Sequence, residues 1–321
     1  MKLITNMRKN SYYFGKVWKN KMRFNIYKKF FRNKKIFITG NTGFVGSYLS
    51  IILSLFGAKV LGYALKKKDK GYLSNQNQYM KKIKTIHNDL SQINRYKNRL
   101  KRFKPEIVIH LASQAIVKES YLNTKKNYKK NILGTVELFE LLKKIPTVNH
   151  VLIFTSDKVY LNVHGKYLNE NSQLGGLDPY SSSKSSQDII SNSYKESFFK
   201  KDMNITIIRA GNIIGGGDFD YSRIVPDLFF SIKNNKKLIL RNPLAVRPWQ
   251  HIFDVVNAIM LSIYKNYKKI QPKAIIFNVG PDNKSNISVI KLVLKIKNKF
   301  ICIFRTHFID YAALSLVLYF I

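Results

Sequence analysis

One cysteine, Cys302, is present in 321 residues. That excludes an intramolecular disulfide framework and suits a reducing compartment, so a cytoplasmic location is expected. Long apolar runs are also absent. No segment reaches the ~20 uncharged residues of a membrane span, and the nearest approach is broken by Arg305, His307 and Asp310. The N-terminal text MKLITNMRKNSYYFGKVWKNKMRF is basic, with no unbroken apolar core and no small-residue cleavage site, which argues against a secretory signal. Acidic residues are the third scarcity: 18 Asp and Glu stand against 56 Lys and Arg, a formal net charge of +38. Such an excess fits a polyanion partner. The lysines, however, run through every predicted element, with no nucleic-acid module, zinc-finger spacing or stacking motif beside them. A chain-wide bias toward Lys, Asn, Ile and Tyr is the preferred reading. Neither a specific nucleic-acid partner nor a metal is expected, only weak, salt-sensitive polyanion affinity.

What is present is enough apolar material, 45% of residues, for a sizeable core. Residues 1–33 read as a basic, aromatic-rich extension without clear periodicity. From Lys35 short apolar runs alternate with amphipathic stretches. IFIT (36–39), KVLGYAL (59–65), EIVIHLA (106–112), HVLIFT (150–155) and ITIIRA (205–210) read as strands. A helix after Gly43 would place Phe44, Tyr48, Ile51, Ile52, Leu55 and Phe56 on one face; others are expected around Asn131–Lys144 and after Pro179. This pattern predicts an α/β protein with a Rossmann-type, doubly wound parallel sheet over 34–210. After Gly211 the texture changes. RIVPDLFFSI and VVNAIMLSIY look helical and LILRN and AIIFNVG strand-like, giving a smaller C-terminal lobe over 211–299, interleaved with the first sheet. Residues 300–321 form an atypical tail.

Three motifs carry chemistry. TGNTGFVG (39–46) sets Gly40, Gly43 and Gly46 between strand and helix, where a backbone free of side chains can approach a pyrophosphate at the helix N-terminus. With strand before and helix after, a dinucleotide site outweighs a plain glycine turn. The second strand ends not on a carboxylate but on Ala64, Leu65 and then Lys66, Lys67 and Lys68. These lysines could accept a 2′-phosphate or be merely solvated, so the residues alone leave NAD and NADP open. Asp89 is either a partner for an adenine edge or a helix cap.

Tyr180 and Lys184, in PYSSSK, share a helix face. An ammonium near a phenol lowers its pKa, so that the phenolate can take a proton from an alcohol. The third motif, FTSDKVY (154–160), ends an apolar strand on Thr155, Ser156, Asp157 and Lys158. Beyond the carboxyl ends of a doubly wound sheet is where ligands gather. Caps and a surface ion pair account for Asp157 or Lys158 singly but not for the cluster.

Together with RAGNIIGGGD and RPWQHIFD, these motifs resemble the extended short-chain dehydrogenases/reductases, and within them the CDP-glucose 4,6-dehydratases, from about Lys34 to Lys291. The resemblance implies a Rossmann domain with a small sugar-nucleotide-binding lobe, tightly held NAD, and CDP-glucose or a related nucleotide sugar as substrate. It admits a homo-oligomer and points to deoxysugar synthesis for polysaccharide. The implied reaction oxidises C4, eliminates water across C5–C6 and returns hydride to C6. In it Tyr180 takes the C4 hydroxyl proton, Lys184 holds the ribose, and Ser156 hydrogen-bonds the C4 oxygen. Asp157 protonates the departing C6 hydroxyl and Lys158 is the candidate C5 base. Cofactor contacts fall on Gly40, Thr42, Gly43, Phe44, Gly46, Asp89, Tyr180 and Lys184, and substrate contacts on Asn212, Arg247 and His251. The text after Lys299 has no counterpart in the family pattern, so a truncated or frameshifted C-terminus is expected.

Overall fold

Ile36 and Ile38 leave one side of the first strand and Phe37 the other, and all three are fully buried. A strand covered on both faces belongs inside a layered α/β sheet. The computed structural model describes residues 21–66, 78–161, 168–269, 273–282 and 285–304. Its main sheet contains β1 (Lys35–Thr39), β2 (Lys59–Ala64), β3 (Lys84–His87), β4 (Ile107–His110), β5 (His150–Ser156), β6 (Asn204–Ala210) and β9 (Ile275–Val279). The spatial order is β3-β2-β1-β4-β5-β6-β9, with every neighbouring pair parallel. The direction of winding changes between β1 and β4, the place where such sheets open a crevice.

One face is covered by α1 (Lys21–Phe31), α2 (Phe44–Leu55) and α10 (Ile252–Asn266). The other carries α4 (Lys97–Phe103), α7 (Gly134–Leu142) and part of α8 (Pro179–Ser197). Short helices α3 (Gln78–Lys82), α5 (Val117–Leu122) and α6 (Thr124–Tyr128) lie in the connections. A smaller sheet sets β8 (Val246–His251) between β10 (Asn286–Ser288) and β7 (Asn212–Ile214). With α9 (Ile224–Lys233) and α11 (Val289–Phe304) it encloses a separate apolar cluster around Trp249, Leu228 and Ile296. No helix among the described residues is long and apolar enough to cross a membrane.

Several expectations need correction. The extension over 1–33 is not aperiodic where it is described. Phe24, Tyr27 and Phe31 repeat at helical spacing, and α1 buries Tyr27 and Phe31 in the main core. Phe30 meets Tyr264 and Tyr267 edge-on at 5.3 and 5.4 Å, while Phe24 meets Phe56 at 4.8 Å. Helix α2 is rotated from the expected face. Leu49 and Leu53, with Gly46 and Ser50, are buried, whereas Leu55 is half exposed, because small residues let the helix sit close to the sheet. LILRN is not a strand: Leu238 and Leu240 pack on the small-lobe cluster while Ile239 faces solvent, so packing alone satisfies the alternation. AIIFNVG forms a strand, β9, at the edge of the main sheet beside β6. Lys67 and Lys68, and the tail beyond Phe304, lie outside the described residues.

Candidate active site

The turn from β1 into α2 is built by exclusion of side chains. Gly40 has φ +76°, and its N–H donates to Tyr63 O at 2.7 Å. A Cβ on Gly40 would lie 2.7 Å from Ala112 N, and one on Gly46 only 2.1 Å from Gly40 O. Helix α2 starts at Gly43, which has no side chain with which to cap it, so its first N–H groups remain available to an anion. Thr42 Oγ1 donates to Leu65 O at 3.1 Å, tying the loop to the end of β2.

Gly40, Thr42, Gly43 and Asp89 line one cleft with Ala64, Leu65, Asn88, Ala112, Ser113 and Lys130. Asp89 borders the cleft, and its Oδ1 accepts from Ser91 N at 3.0 Å as a helix cap. Burial opposes ionisation, but the Ser91 N–H and hydroxyl, both donating to it, and nearby Lys130 and Lys129 hold its carboxyl below the ordinary value. Phe44 is half-buried against Tyr48, next to the Gly215 loop, rather than on the cleft wall. Ser113 and Lys130 escaped the sequence reading because neither belongs to a motif.

The second cluster stands beyond β5, where the apolar strand ends. Thr155 Oγ1 donates to Ile208 O at 3.2 Å and serves the sheet. Ser156 Oγ donates to Asp157 Oδ1 at 3.0 Å and accepts from Lys158 N at 3.3 Å, capping the single turn Asp157–Val159. Asp157 is 8% exposed; burial raises its pKa above the ordinary carboxylate value, against the charges of Lys158 and Arg247. Lys158 beside it is half-buried.

Helix α8 brings Tyr180 to the same place, started by Asp178, which accepts from Ser181 N at 3.0 Å. Burial pushes the phenol up to about 12, opposed by a hydrogen bond with Ser156 and the charge of Arg223. Lys184 is not what depresses it here. Its Nζ donates to Gln187 Oε1 at 2.8 Å and Phe154 O at 3.3 Å, and burial lowers the amine to about 7. Arg223, pinned by Asp218 at 2.9 Å, was missed by the sequence reading although Asp218 lies in the quoted RAGNIIGGGD.

Of the anticipated substrate contacts, Arg247 faces this cluster from β8, its charge reaching Asp157. Asn212 is half-buried on β7, in register with Trp249. His251 is buried as the N-cap of α10, its Nδ1 accepting from Phe253 N at 3.3 Å.

A glycine cradle at the sheet's winding switch, with a Tyr–Lys helix and a polar strand end beside it, defines the class of extended short-chain dehydrogenases/reductases. The sequence pattern of the GDP-mannose 4,6 dehydratases matches residues 37–298, and the chain belongs to that family. It is 35% identical over 263 residues to CDP-glucose 4,6-dehydratase of Salmonella typhimurium, covering 80% of this chain and 73% of that protein. Its fold is similar to UDP-N-acetylglucosamine 4-epimerase from Methanobrevibacter ruminantium, at TM-score 0.72 and 22% identity, covering 84% and 83% of the two chains. It is also similar to dTDP-glucose 4,6-dehydratase from Bacillus anthracis, solved with NAD, at TM-score 0.66 and 22% identity, covering 83% and 80%.

Proposed function

We propose that this protein is an NAD-dependent nucleotide-sugar 4,6-dehydratase acting on CDP-glucose. The observation that carries the reading is the buried Ser156–Asp157 pair next to Tyr180. A C4 oxidation needs a phenol and an amine; the loss of water from C5–C6 also needs an acid, and burial shifts Asp157 toward its protonated form, against the pull of Lys158 and Arg247. The 35% identity to the Salmonella enzyme supports the substrate, and the solved NAD complex of the Bacillus relative supports the cofactor.

The cradle fits a dinucleotide. Its backbone leaves no room for a Cβ at Gly40 or Gly46, and the unprotected start of α2 favours a diphosphate. Gly40, Thr42 and Gly43 would hold that group, with Asp89 along the adenosine end of the cleft. When bound, NAD supplies the hydride acceptor for C4 and the donor for C6.

The chain's own groups divide the remaining work. Ser156 orients the C4 oxygen and Tyr180 receives its proton. Tyr180 is a neutral phenol at the outset and must first lose its proton; Arg223 and Ser156 oppose burial in that direction. Lys184 holds the ribose and, titrating near neutrality, can exchange a proton one turn away. Asp157 protonates the C6 hydroxyl as it leaves, and Lys158 takes the C5 proton. Arg247, with its bidentate fork, suits the substrate's diphosphate, and Asn212, on the neighbouring strand β7, is a further substrate contact.

The test is incubation with CDP-glucose and NAD⁺, with UDP-glucose and dTDP-glucose as rivals. The product should be the 4-keto-6-deoxy sugar, seen by mass spectrometry as loss of water. Inversion at C4 without water loss overturns the dehydratase reading. A Lys158→Ala variant that keeps full elimination overturns the assignment of the base.

A further inference from the structure

A buried column of hydrogen bonds runs from the residue before the glycine loop to Lys184. Thr39 Oγ1 lies 2.7 Å from His110 Nδ1, and His110 Nε2 lies 3.1 Å from Thr135 Oγ1. Gln187 Nε2 donates to Thr135 Oγ1 at 2.8 Å, and Gln187 Oε1 accepts from Lys184 Nζ at 2.8 Å. None of the five residues is more than 2% exposed, so water does not compete for these groups.

The proton directions follow from Thr135. A hydroxyl has one proton, and Thr135 gives its own to Asn131 O at 2.7 Å. Both remaining neighbours must therefore donate to it. His110 then carries its ring proton on Nε2 and accepts the Thr39 proton on Nδ1; burial, with the charge of Lys184, lowers its pKa to about 3, so it stays neutral. Gln187 must point its NH₂ at Thr135, which leaves its carbonyl, and only its carbonyl, facing the amine.

We propose that Gln187 is a positioning residue for Lys184: the Thr39–His110–Thr135 column fixes its amide orientation, so that the strand carrying the glycine loop and the amine are registered to each other. The other groups facing Nζ are Phe154 O, neutral His110 on β4, Tyr180 one turn away, and Asp188 on α8 with its partner Arg209 on β6. Of these, Asp188 pulls the amine toward its charged form while burial opposes it. The carbonyl of Gln187 acts in the same direction as Asp188, because it accepts from the ammonium. The proposal rests on Lys184 serving the reaction proposed above, but its geometry does not.

The experiment is NMR of protein carrying ¹³Cε-lysine, with Lys184→Arg assigning the lysine that titrates near neutrality. Gln187→Met keeps the shape and removes the acceptor; it should lower the midpoint by about one unit, and Gln187→Glu should raise it. In turnover, Gln187→Met should cost about tenfold in kcat with KM within about twofold, and Gln187→Glu should recover most of the loss. Midpoints unchanged in both variants, with a wild-type pH–rate profile, overturn the proposal. If Gln187→Met does not fold, Thr135→Val frees the amide from the column and should give a smaller shift of the same sign; no shift overturns it. Absence of turnover by the wild type would sink the dehydratase reading alone, because the NMR titration still decides this one.

Discussion

The two halves of the site are made of different materials. On the β1 side the cradle is backbone, and its specification is the lack of atoms at Gly40, Gly43 and Gly46. On the β5–α8 side the same depth of burial is filled with polar and charged side chains: Asp157, Tyr180, Lys184, Gln187, Asp188 and Arg209. The first half is intolerant of volume. The second tolerates substitutions of equal shape but responds to every change in charge, because buried ionisable groups depend on their partners.

The sharpest way to break this contrast is at Tyr180. Tyr180→Phe should cut kcat by about a thousandfold while leaving nucleotide affinity intact, measured by steady-state kinetics and calorimetry. Next is the buried pair Arg209–Asp188, 2.5 Å between Nε and Oδ2 and 2% and 1% exposed. Arg209→Met removes the ion partner of a buried carboxylate, and should lower stability by about 3–5 kcal/mol in chemical denaturation. On the cradle side, Gly46→Ala should weaken NAD binding by about a hundredfold, since the new Cβ lies 2.1 Å from Gly40 O and overpacking costs about 1–3 kcal/mol. The pH–rate dependence of the β5–α8 half should survive in whatever activity remains; a change there would couple the halves more tightly than the contrast allows.

The most gradual effect, spread along the pH axis, is on acid stability. His110 and His150 are both wholly buried and shifted down to about 3 by burial, from an ordinary 6.5. Between those values the unfolded chain binds protons that the folded protein refuses. Their contribution is therefore complete above about 6.5 and lost as pH falls, at roughly 1.4 kcal/mol per pH unit each. His150 has no hydrogen-bond partner at either ring nitrogen. His150→Leu should flatten the acid limb of a melting-temperature curve by one such contribution, whereas His110 is tied to the Lys184 column and is not replaceable in this way.

The same contrast governs what could be read from the sequence. A backbone cradle leaves a local trace, glycines at fixed spacing between strand and helix, and TGNTGFVG was legible at once. Tyr180 and Lys184 were legible because one helix turn sets them together. Arg209 and Asp188 were not, since they meet only when β6 packs against α8. Gln187 was passed over for a similar reason: its role depends on Thr135 and His110, far away in the chain. Strand β3 escaped because only Ile86 of its four residues is buried, and β8 because Pro248 and Arg247 disguise it. Helix α1 did carry a readable stripe at Phe24, Tyr27 and Phe31, but the surrounding lysines masked it.

That helix has a practical consequence. Its aromatic residues roof over Phe56, Tyr264 and Tyr267, which would otherwise lie on the outer side of the sheet's own helices. Trimming the chain to the glycine motif, the natural choice for anyone seeking a minimal nucleotide-binding unit, strips off that roof. The shortened protein would present a sticky aromatic strip on a strongly cationic body. Its poor behaviour in solution would then reflect a missing lid on the core, and would say nothing about the integrity of the catalytic end.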